Sequence, residues 1–298
     1  MSRRRVVIRC PGKVNLHLEV VRRRPDGYHE LRTLFVAVGV WDRLELAATP
    51  DGSLALAVDP PGAVSAGPDN LVLRAAHAAR AAWGVAEGAR ITLRKGIPVA
   101  GGMGGGSADA AATLVALAAL WRRPQPIAAL HDLGAALGSD VPYFLAGGAA
   151  WGEGRGERLR ALPDLPPWWV VLVPGDRPVA TAEVFSRLQP GDIGRGPAAP
   201  VYDWLAGGAD LPLAALRNDL EGAVTAGWPW VGERLAAMRR AGAPVALVSG
   251  SGGTVFGLWR DEREARAGAA RCGPLATVVA PLLGRDGSRL RPVVGEGS

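Results

Sequence analysis

The sequence predicts a protein of mixed strands and helices in about two domains. The first observation is length: 298 residues exceed one typical domain. The second is patterning. Val14, Leu16, Leu18 and Val20 alternate with Asn15, His17 and Glu19, which is a strand period, whereas Leu71–Trp83 and the Ala/Leu-rich Ser107–Leu120 read as helices. The third is the stretch 159–167, where prolines and acids gather and a domain boundary is expected.

Taken in order, Val6–Ile8 is a first strand, broken at Pro11-Gly12 and resumed over Val14–Val20. Lys13 shares the polar face of the second piece; that face is either half-exposed or the wall of a site. Arg22–Gly27 forms a turn, with Asp26-Gly27 as its strongest signal. Tyr28-His29 follows, a pair that suits either stacking on a base or a strand edge. Strands are expected over Leu31–Val40, Leu44–Ala47 and Leu54–Val58, and Asn70 fits the N-cap of the helix Leu71–Trp83. Ala89–Arg94 is a strand that feeds the glycine-rich loop Lys95–Gly106, and Ile127–Leu137 is an amphipathic helix. Gly138-Ser139-Asp140-Val141-Pro142 starts a short helix; Asp140 fits its N-cap and Pro142 its first turn. Gly147–Arg158 reads as strand and turn, Trp168–Val173 as a buried strand, and Thr181–Leu188 as a short helix carrying Phe185. Gly191–Pro200 is expected to be a mobile loop, with Asn218–Glu221 and Val231–Arg240 in helices. Ala246–Ser249 runs through Gly250-Ser251-Gly252-Gly253 into the strand Thr254–Leu258; this second glycine cluster is either a phosphate approach or a tight turn. A helix over Glu262–Ala270, a strand over Ala276–Leu283 and a disordered tail after Gly284 close the chain.

The stretch around which the chain is organised is Gly96-Ile97-Pro98-Val99-Ala100-Gly101-Gly102-Met103-Gly104-Gly105-Gly106-Ser107-Ala108-Asp109. Glycine reaches backbone angles that other residues avoid and lets a ligand approach the amides. The loop ends at a helix start, where free N–H groups and partial positive charge suit a phosphate. It is not a P-loop, because Ser107-Ala108 follows the last glycine where that motif needs Lys then Ser/Thr. It is not the dinucleotide fingerprint either, since Gly102, Gly104 and Ser107 give G-x-G-x-x-S and Trp121–Pro124 follows where a second strand should end.

At 48% hydrophobic and 21% charged residues, the composition is that of an ordinary globular protein. No apolar run reaches the roughly 18 residues of a membrane span, and Met1–Arg5 has no apolar signal core. Cys10 and Cys272 give neither a disulfide framework nor metal-ligand spacing. The expectation is a cytoplasmic protein with reduced thiols. Net charge of +6 raises the question of nucleic acid, but the basic residues are scattered apart from Arg3–Arg5 and Arg22–Arg24. No basic face interleaved with aromatics appears. The 34 Lys+Arg residues include only two lysines, Lys13 and Lys95, so each surviving lysine is informative.

Three separated stretches, Pro11-Gly12-Lys13-Val14-Asn15-Leu16, Ile97–Asp109 and Ser249-Gly250-Ser251-Gly252, resemble the three motifs of the GHMP kinase superfamily. Asp26–Leu31, Gly138–Pro142 and Asn218–Glu221 narrow the resemblance to kinases acting on 4-diphosphocytidyl-2-C-methyl-D-erythritol in the non-mevalonate isoprenoid pathway. The match spans residues 11 to about 257. The family pattern usually has Ala at Gly12, Leu at Met103, a second Ser at Ala108 and Ala at Ser139.

The resemblance implies a two-domain α+β fold: a ribosomal-protein-like N-terminal domain over 1–160, a second α+β domain over 161–298, and an active site in the cleft. It implies ATP with its phosphates on Pro98, Val99, Ala100, Gly101, Gly102, Met103, Gly104, Gly105, Gly106 and Ser107. Mg²⁺ would bridge those phosphates, with Ser107 the candidate hydroxyl near the metal. Lys13 and Asp140 would face the substrate hydroxyl: Asp140 takes its proton, and Lys13 orients Asp140 or stabilises the transferring phosphoryl. Tyr28 and Phe185 would sandwich the cytosine, His29 would read its polar edge, and Asn15 would line the substrate site. The implied partner is a cytidine-diphospho alcohol, with no nucleic acid or membrane. Other small-alcohol kinases of the superfamily and, from another class, a basic nucleic-acid-binding protein are the rival expectations.

Overall fold

The computed structural model of the protein describes residues 4–296. The readings at Met1–Arg3, including the start of the basic run, and the last two residues of the tail lie outside the described residues.

The chain begins with two long antiparallel strands, β1 (Arg4–Arg23) and β2 (His29–Thr49). Each replaces two strands expected from the sequence. At Pro11/Gly12 the pairing slips by a bulge, without ending the strand; a bulge bends a strand and sharpens its twist. Next come β3 (Leu54–Asp59), α1 (Leu71–Trp83) and β4 (Gly88–Arg94). Asn70 caps α1 as expected, its side chain accepting from Val72 N. The loop then leads into α2 (Gly105–Leu120), α3 (Ile127–Leu137) and α4 (Val141–Ala146). After these lie β5 (Ala149–Gly154), β6 (Arg158–Ala161), β7 (Trp169–Val173), α5 (Thr181–Ser186), α6 (Ala199–Leu205), α7 (Glu221–Gly227) and α8 (Pro229–Arg240). The chain closes with β8 (Val245–Val248), β9 (Val255–Trp259), α9 (Glu262–Arg271), β10 (Val278–Leu283), α10 (Arg285–Ser288) and β11 (Val293–Glu296).

Strand β2 is the hub. One edge pairs with β1 almost throughout, while the other is shared by β5 at Leu31–Val36, β10 at Ala37–Val38 and β4 at Arg43–Thr49. Through β10 the sheet continues into β7, β9 and β8. Helix α2 packs on β1 and β2 as well as on α1, α3 and α4. It is apolar nearly all round, with Ala108 through Leu120 mostly buried, as befits a helix enclosed on every side.

Several expectations need correction. The tail is not disordered as far as it is described. Arg285 donates to the carbonyls of Ala146, Gly147, Ala149 and Leu162, Gly148 N donates to Ser288 Oγ, and β11 pairs with β1. Composition suggested a loose end; five side-chain bonds to backbone tie it down. Residues 191–200 are likewise pinned, by Gly194 N donating to Val20 O and Ala198 N to Glu19 Oε1. Asn218–Leu220 precede α7 and are not part of it. The polar face of β1 is not half-exposed: Lys13, Asn15, His17 and Glu19 are all buried, because the segments carrying Arg217, Asn218 and Ala198 close over it.

Candidate active site

The three stretches singled out in the sequence meet at one place. The ATP-loop candidates Pro98 through Ser107 line a cavity of about 370 Å³ together with Lys95 and Asp109. Gly102 has φ +75°, and a Cβ there would overlap Ser249 O; only glycine accepts both the angle and the contact. Gly252 packs against the backbone of Gly101 and Gly102 on the same side, with no room for a Cβ of its own. Thr254 N donates to Gly101 O at 3.2 Å and Ser249 Oγ to Gly102 O at 3.1 Å. The second glycine cluster is therefore a buttress for the first. Asn218 explains why it is placed there: its Nδ2 donates to Val248 O and Gly250 O at 2.9 and 2.7 Å. Within the loop, non-glycine Ala100 is held at φ +53°, a strained conformation of the kind found at ligand clamps.

Helix α2 starts at Gly105, after Gly104 at φ +70°, and no side chain caps it. Its first residues, Gly105, Gly106 and Ser107, line the cavity, and the free N–H groups of a helix start suit an anion.

Lys13 sits at the rim of this loop. Its Nζ donates to Asn15 Oδ1 at 2.7 Å and lies 3.5 Å from Asp140 Oδ2. The Lys13 side chain is 5% exposed and that of Asp140 27%. Asn15 is fixed in turn: its Nδ2 donates to Thr33 Oγ1 at 2.7 Å, and Thr33 donates to His17 O at 2.8 Å. Thr33 was not singled out in the sequence; it lies across the β1–β2 ladder, and no local signal marks that pairing. Asp140 has helical angles and makes no cap bond. Its expected role as an N-cap fails, and its carboxylate is turned to Lys13 instead.

The residues read as a base pocket also come together. Tyr28, His29 and Phe185 line a second cavity, of about 1060 Å³, whose wall includes Gly138, Ser139 and Arg155. His29 stacks on Phe185 with ring centroids 5.0 Å apart, and Tyr28 stands at the rim, 55% exposed, under the guanidinium of Arg155. Burial, with Arg23 nearby, lowers the His29 pKa. Gly138 and Ser139 lead directly to Asp140, while Lys13 Cε would lie 3.2 Å from a Cβ on Gly104 in the first cavity. The Lys13–Asp140 pair thus lies between Gly104 of the first cavity and Ser139 of the second.

A third cluster underlies the loop. Lys95 Nζ donates to Asp109 Oδ2 at 2.9 Å and to Asp42 Oδ2. Cys10 Sγ donates to Asp109 Oδ1 at 3.5 Å. Cys10, Asp42 and Asp109 have the spacing of a metal site, but the cation between the carboxylates is the Lys95 ammonium. Burial and the charge of Asp42 raise the Asp109 carboxyl against the pull of Lys95, and burial pushes the Cys10 thiol up.

Among the described residues, no helix is long and apolar enough to cross a membrane. The family model described as "GHMP kinases N terminal domain" matches residues 70–148, and "GHMP kinases C terminal" matches residues 208–273. A 4-diphosphocytidyl-2-C-methyl-D-erythritol kinase of Pelotomaculum thermopropionicum is 46% identical over 266 residues, which cover 87% of this chain and 91% of the relative. The kinase of that name from Cereibacter sphaeroides is 48% identical, with coverages of 87% and 91%. A crystal structure of a 4-(cytidine 5'-diphospho)-2C-methyl-D-erythritol kinase aligns with TM-score 0.77 and 39% identity, covering 93% of this chain and 99% of the other. The homoserine kinase of Cytophaga hutchinsonii, at 18% identity and TM-score 0.74, shares the fold. With loop, buttress and lysine–aspartate pair assembled as in the sequence motifs, and with relatives this similar over nearly their whole length, the chain belongs to the 4-diphosphocytidyl-2-C-methyl-D-erythritol kinases, ATP-dependent small-molecule kinases of the GHMP superfamily.

Proposed function

We propose that the protein transfers the γ-phosphoryl group of ATP to the 2-hydroxyl of 4-diphosphocytidyl-2-C-methyl-D-erythritol, in isoprenoid precursor synthesis outside the mevalonate route. The observation that carries this reading is the Lys13–Asp140 pair, with Nζ 3.5 Å from Oδ2, set between Gly104 of the loop cavity and Ser139 of the aromatic cavity. ATP lies with its phosphates on residues 98–107, and the cytosine lies among Tyr28, His29 and Phe185. The methylerythritol then reaches from the aromatic cavity past Ser139 to Asp140.

Phosphoryl transfer depends on positioning and charge neutralisation more than on covalent help. The substrate oxygen forms its bond to the γ-phosphorus as the bond to the β-phosphate oxygen breaks and ADP leaves. The hydroxyl proton goes to Asp140, a general-base role. Lys13, steadied by Asn15 and Thr33, orients Asp140 and neutralises charge on the transferring group. The uncapped start of α2 and the loop amides hold the remaining phosphate oxygens. Magnesium fits beside Ser107, whose hydroxyl makes no hydrogen bond among the described residues while lining the loop cavity. One or two protein oxygens plus phosphates suffice for this ion. When bound, it supplies further neutralisation of phosphate charge.

The test is turnover of a panel of alcohols with ATP, read by ADP release, with the phosphorylated position assigned by NMR. The cytidine-diphospho alcohol is expected to react at its 2-hydroxyl while mevalonate and homoserine stay inert. Equal turnover of mevalonate would overturn the substrate assignment and leave only the kinase.

A further inference from the structure

The loop that receives the phosphates has its two ends tied together by the Lys95 cluster. Lys95 is its entry residue, after β4, and Asp109 is its exit residue, in the first turns of α2. The ammonium of Lys95 bridges from the entry to the exit at 2.9 Å. It also pairs with Asp42 of β2, whose Oδ1 accepts from Gly96 N and Ile97 N at 2.6 and 2.9 Å. The carboxylate of Asp42 therefore grips the backbone of the two residues after Lys95, and Lys95 joins that grip to the helix at its far end. A Cβ on Gly105 would stand 3.2 Å from Lys95 Nζ, so the ammonium lies beneath the last glycines. Its side chain is 6% exposed.

Such a cluster is a poor source of stability, since well-packed apolar side chains can serve as well or better. What it gives is fixed geometry for a segment too rich in glycine to hold its own shape. We propose that Lys95 is a positioning residue for the phosphoryl donor: bridging Asp42 and Asp109, it sets the pitch of the Gly101–Gly106 amides that receive the ATP phosphates, without itself contacting nucleotide. The proposal rests on the placement of those phosphates on residues 98–107.

The competing role for a lysine lining this cavity is direct contact with a phosphate. The two roles give opposite signs when Asp109 is neutralised. Asp109→Asn keeps the shape but weakens the tie between entry and exit. If Lys95 acts by positioning, KM for ATP rises about 10-fold, since small misplacements are costly, while KM for the alcohol stays within about two-fold. The double variant Lys95→Met/Asp109→Asn is then no worse than Lys95→Met, because both remove one bridge. If Lys95 is a phosphate ligand, Asp109→Asn frees the ammonium, and KM for ATP stays level or falls. That outcome, or an equal rise in both KM values, overturns the proposal.

Amide hydrogen exchange supplies a readout independent of turnover. The Gly101–Gly106 amides should exchange faster in Asp109→Asn than in wild type, with β4 amides unchanged. Should the variants fail to fold, wild type alone still decides. The Gly96 and Ile97 amides, held by a buried carboxylate, should exchange as slowly as the interior of β4, and rapid exchange there overturns the proposal. The underlying placement of ATP is tested separately. If ATP does not slow exchange of the loop amides in wild type, that placement falls. If it does, but Asp109→Asn behaves as wild type, the positioning role alone falls.

Discussion

The Cε of Met103 lies 3.2 Å from the point where a Cβ on Gly12 would stand. These are two of the positions at which the sequence departs from the usual family pattern, and they meet in space. Met103 is 1% exposed, and its long unbranched side chain fills the volume that an alanine at position 12 would claim. The glycine thus makes room for the methionine beside Lys13. Met103→Leu alone should leave a small gap, and Gly12→Ala alone a tight contact, each costing up to about 1.5 kcal/mol. The double variant should recover about 0.5–1 kcal/mol of coupling. Thermal melts of the four proteins would measure it, and strictly additive changes would show the two departures to be unrelated.

Asp140 offers a clean separation of chemistry from stability. It makes no cap bond to α4, so Asp140→Asn should melt within a few degrees of wild type. Loss of the proton acceptor should lower kcat by about 10²-fold or more, with KM for ATP nearly unchanged. A variant that keeps most of its kcat would remove Asp140 from the proton transfer.

Glu19 predicts an acid-sensitive component of stability. Burial alone would raise its carboxyl, but hydrogen bonds from His17, Ala198 N and the Tyr202 hydroxyl outweigh that and lower it from 4.5 to about 2. A depressed native pKa stabilises the fold above the unfolded value and loses that contribution as pH falls toward the native value. Stability should therefore decline between about pH 4.5 and 2. In Glu19→Gln this part of the decline should vanish, at a cost of about 2 kcal/mol near neutrality. Denaturant melts across that window would check it; an unchanged acid slope in the variant rules Glu19 out as the source.

The chemistry was more legible in the sequence than the architecture around it. Loop, helix start, Lys13, Asn15 and Asp140 sit in short local patterns, and the structure brings them together. Thr33 and Asp42 carry no such pattern. Each acts through pairing across the sheet or across the loop, Asp42 reaching Lys95 from 53 residues away, and long-range register leaves no mark in a single sequence. The polar face of β1 stayed open between a half-exposed strand and a site wall for a related reason. Period-2 alternation reports which residues share a face, not what covers it, and here a later part of the chain does. The tail differs from its expectation because arginine and glycine content does not report the carbonyls that Arg285 finds.

The scarcity of lysine in this chain has a structural counterpart. Both lysines, Lys13 and Lys95, are buried in ion pairs, where arginine would be a poor substitute. The ammonium of Lys13 is confined by Asn15 Oδ1 at 2.7 Å, Asp140 at 3.5 Å and the Phe35 ring, whose centroid is 5.5 Å away. A Cβ on Gly250 would come within 3.5 Å of it. An ammonium is a compact point charge with three donors, whereas a guanidinium is a wide planar fork. Lys13→Arg would keep the charge but push Asp140 or Asn15 aside, and about 1 Å of misplacement costs on the order of 10²-fold in rate. The variant should fold, bind ATP with little change and lose most of its kcat. Steady-state kinetics of the purified variant, with thermal melting as the folding control, checks this. Wild-type kcat in a normally melting Lys13→Arg protein would show that only the charge matters there, and that Lys13 does not act through its geometry.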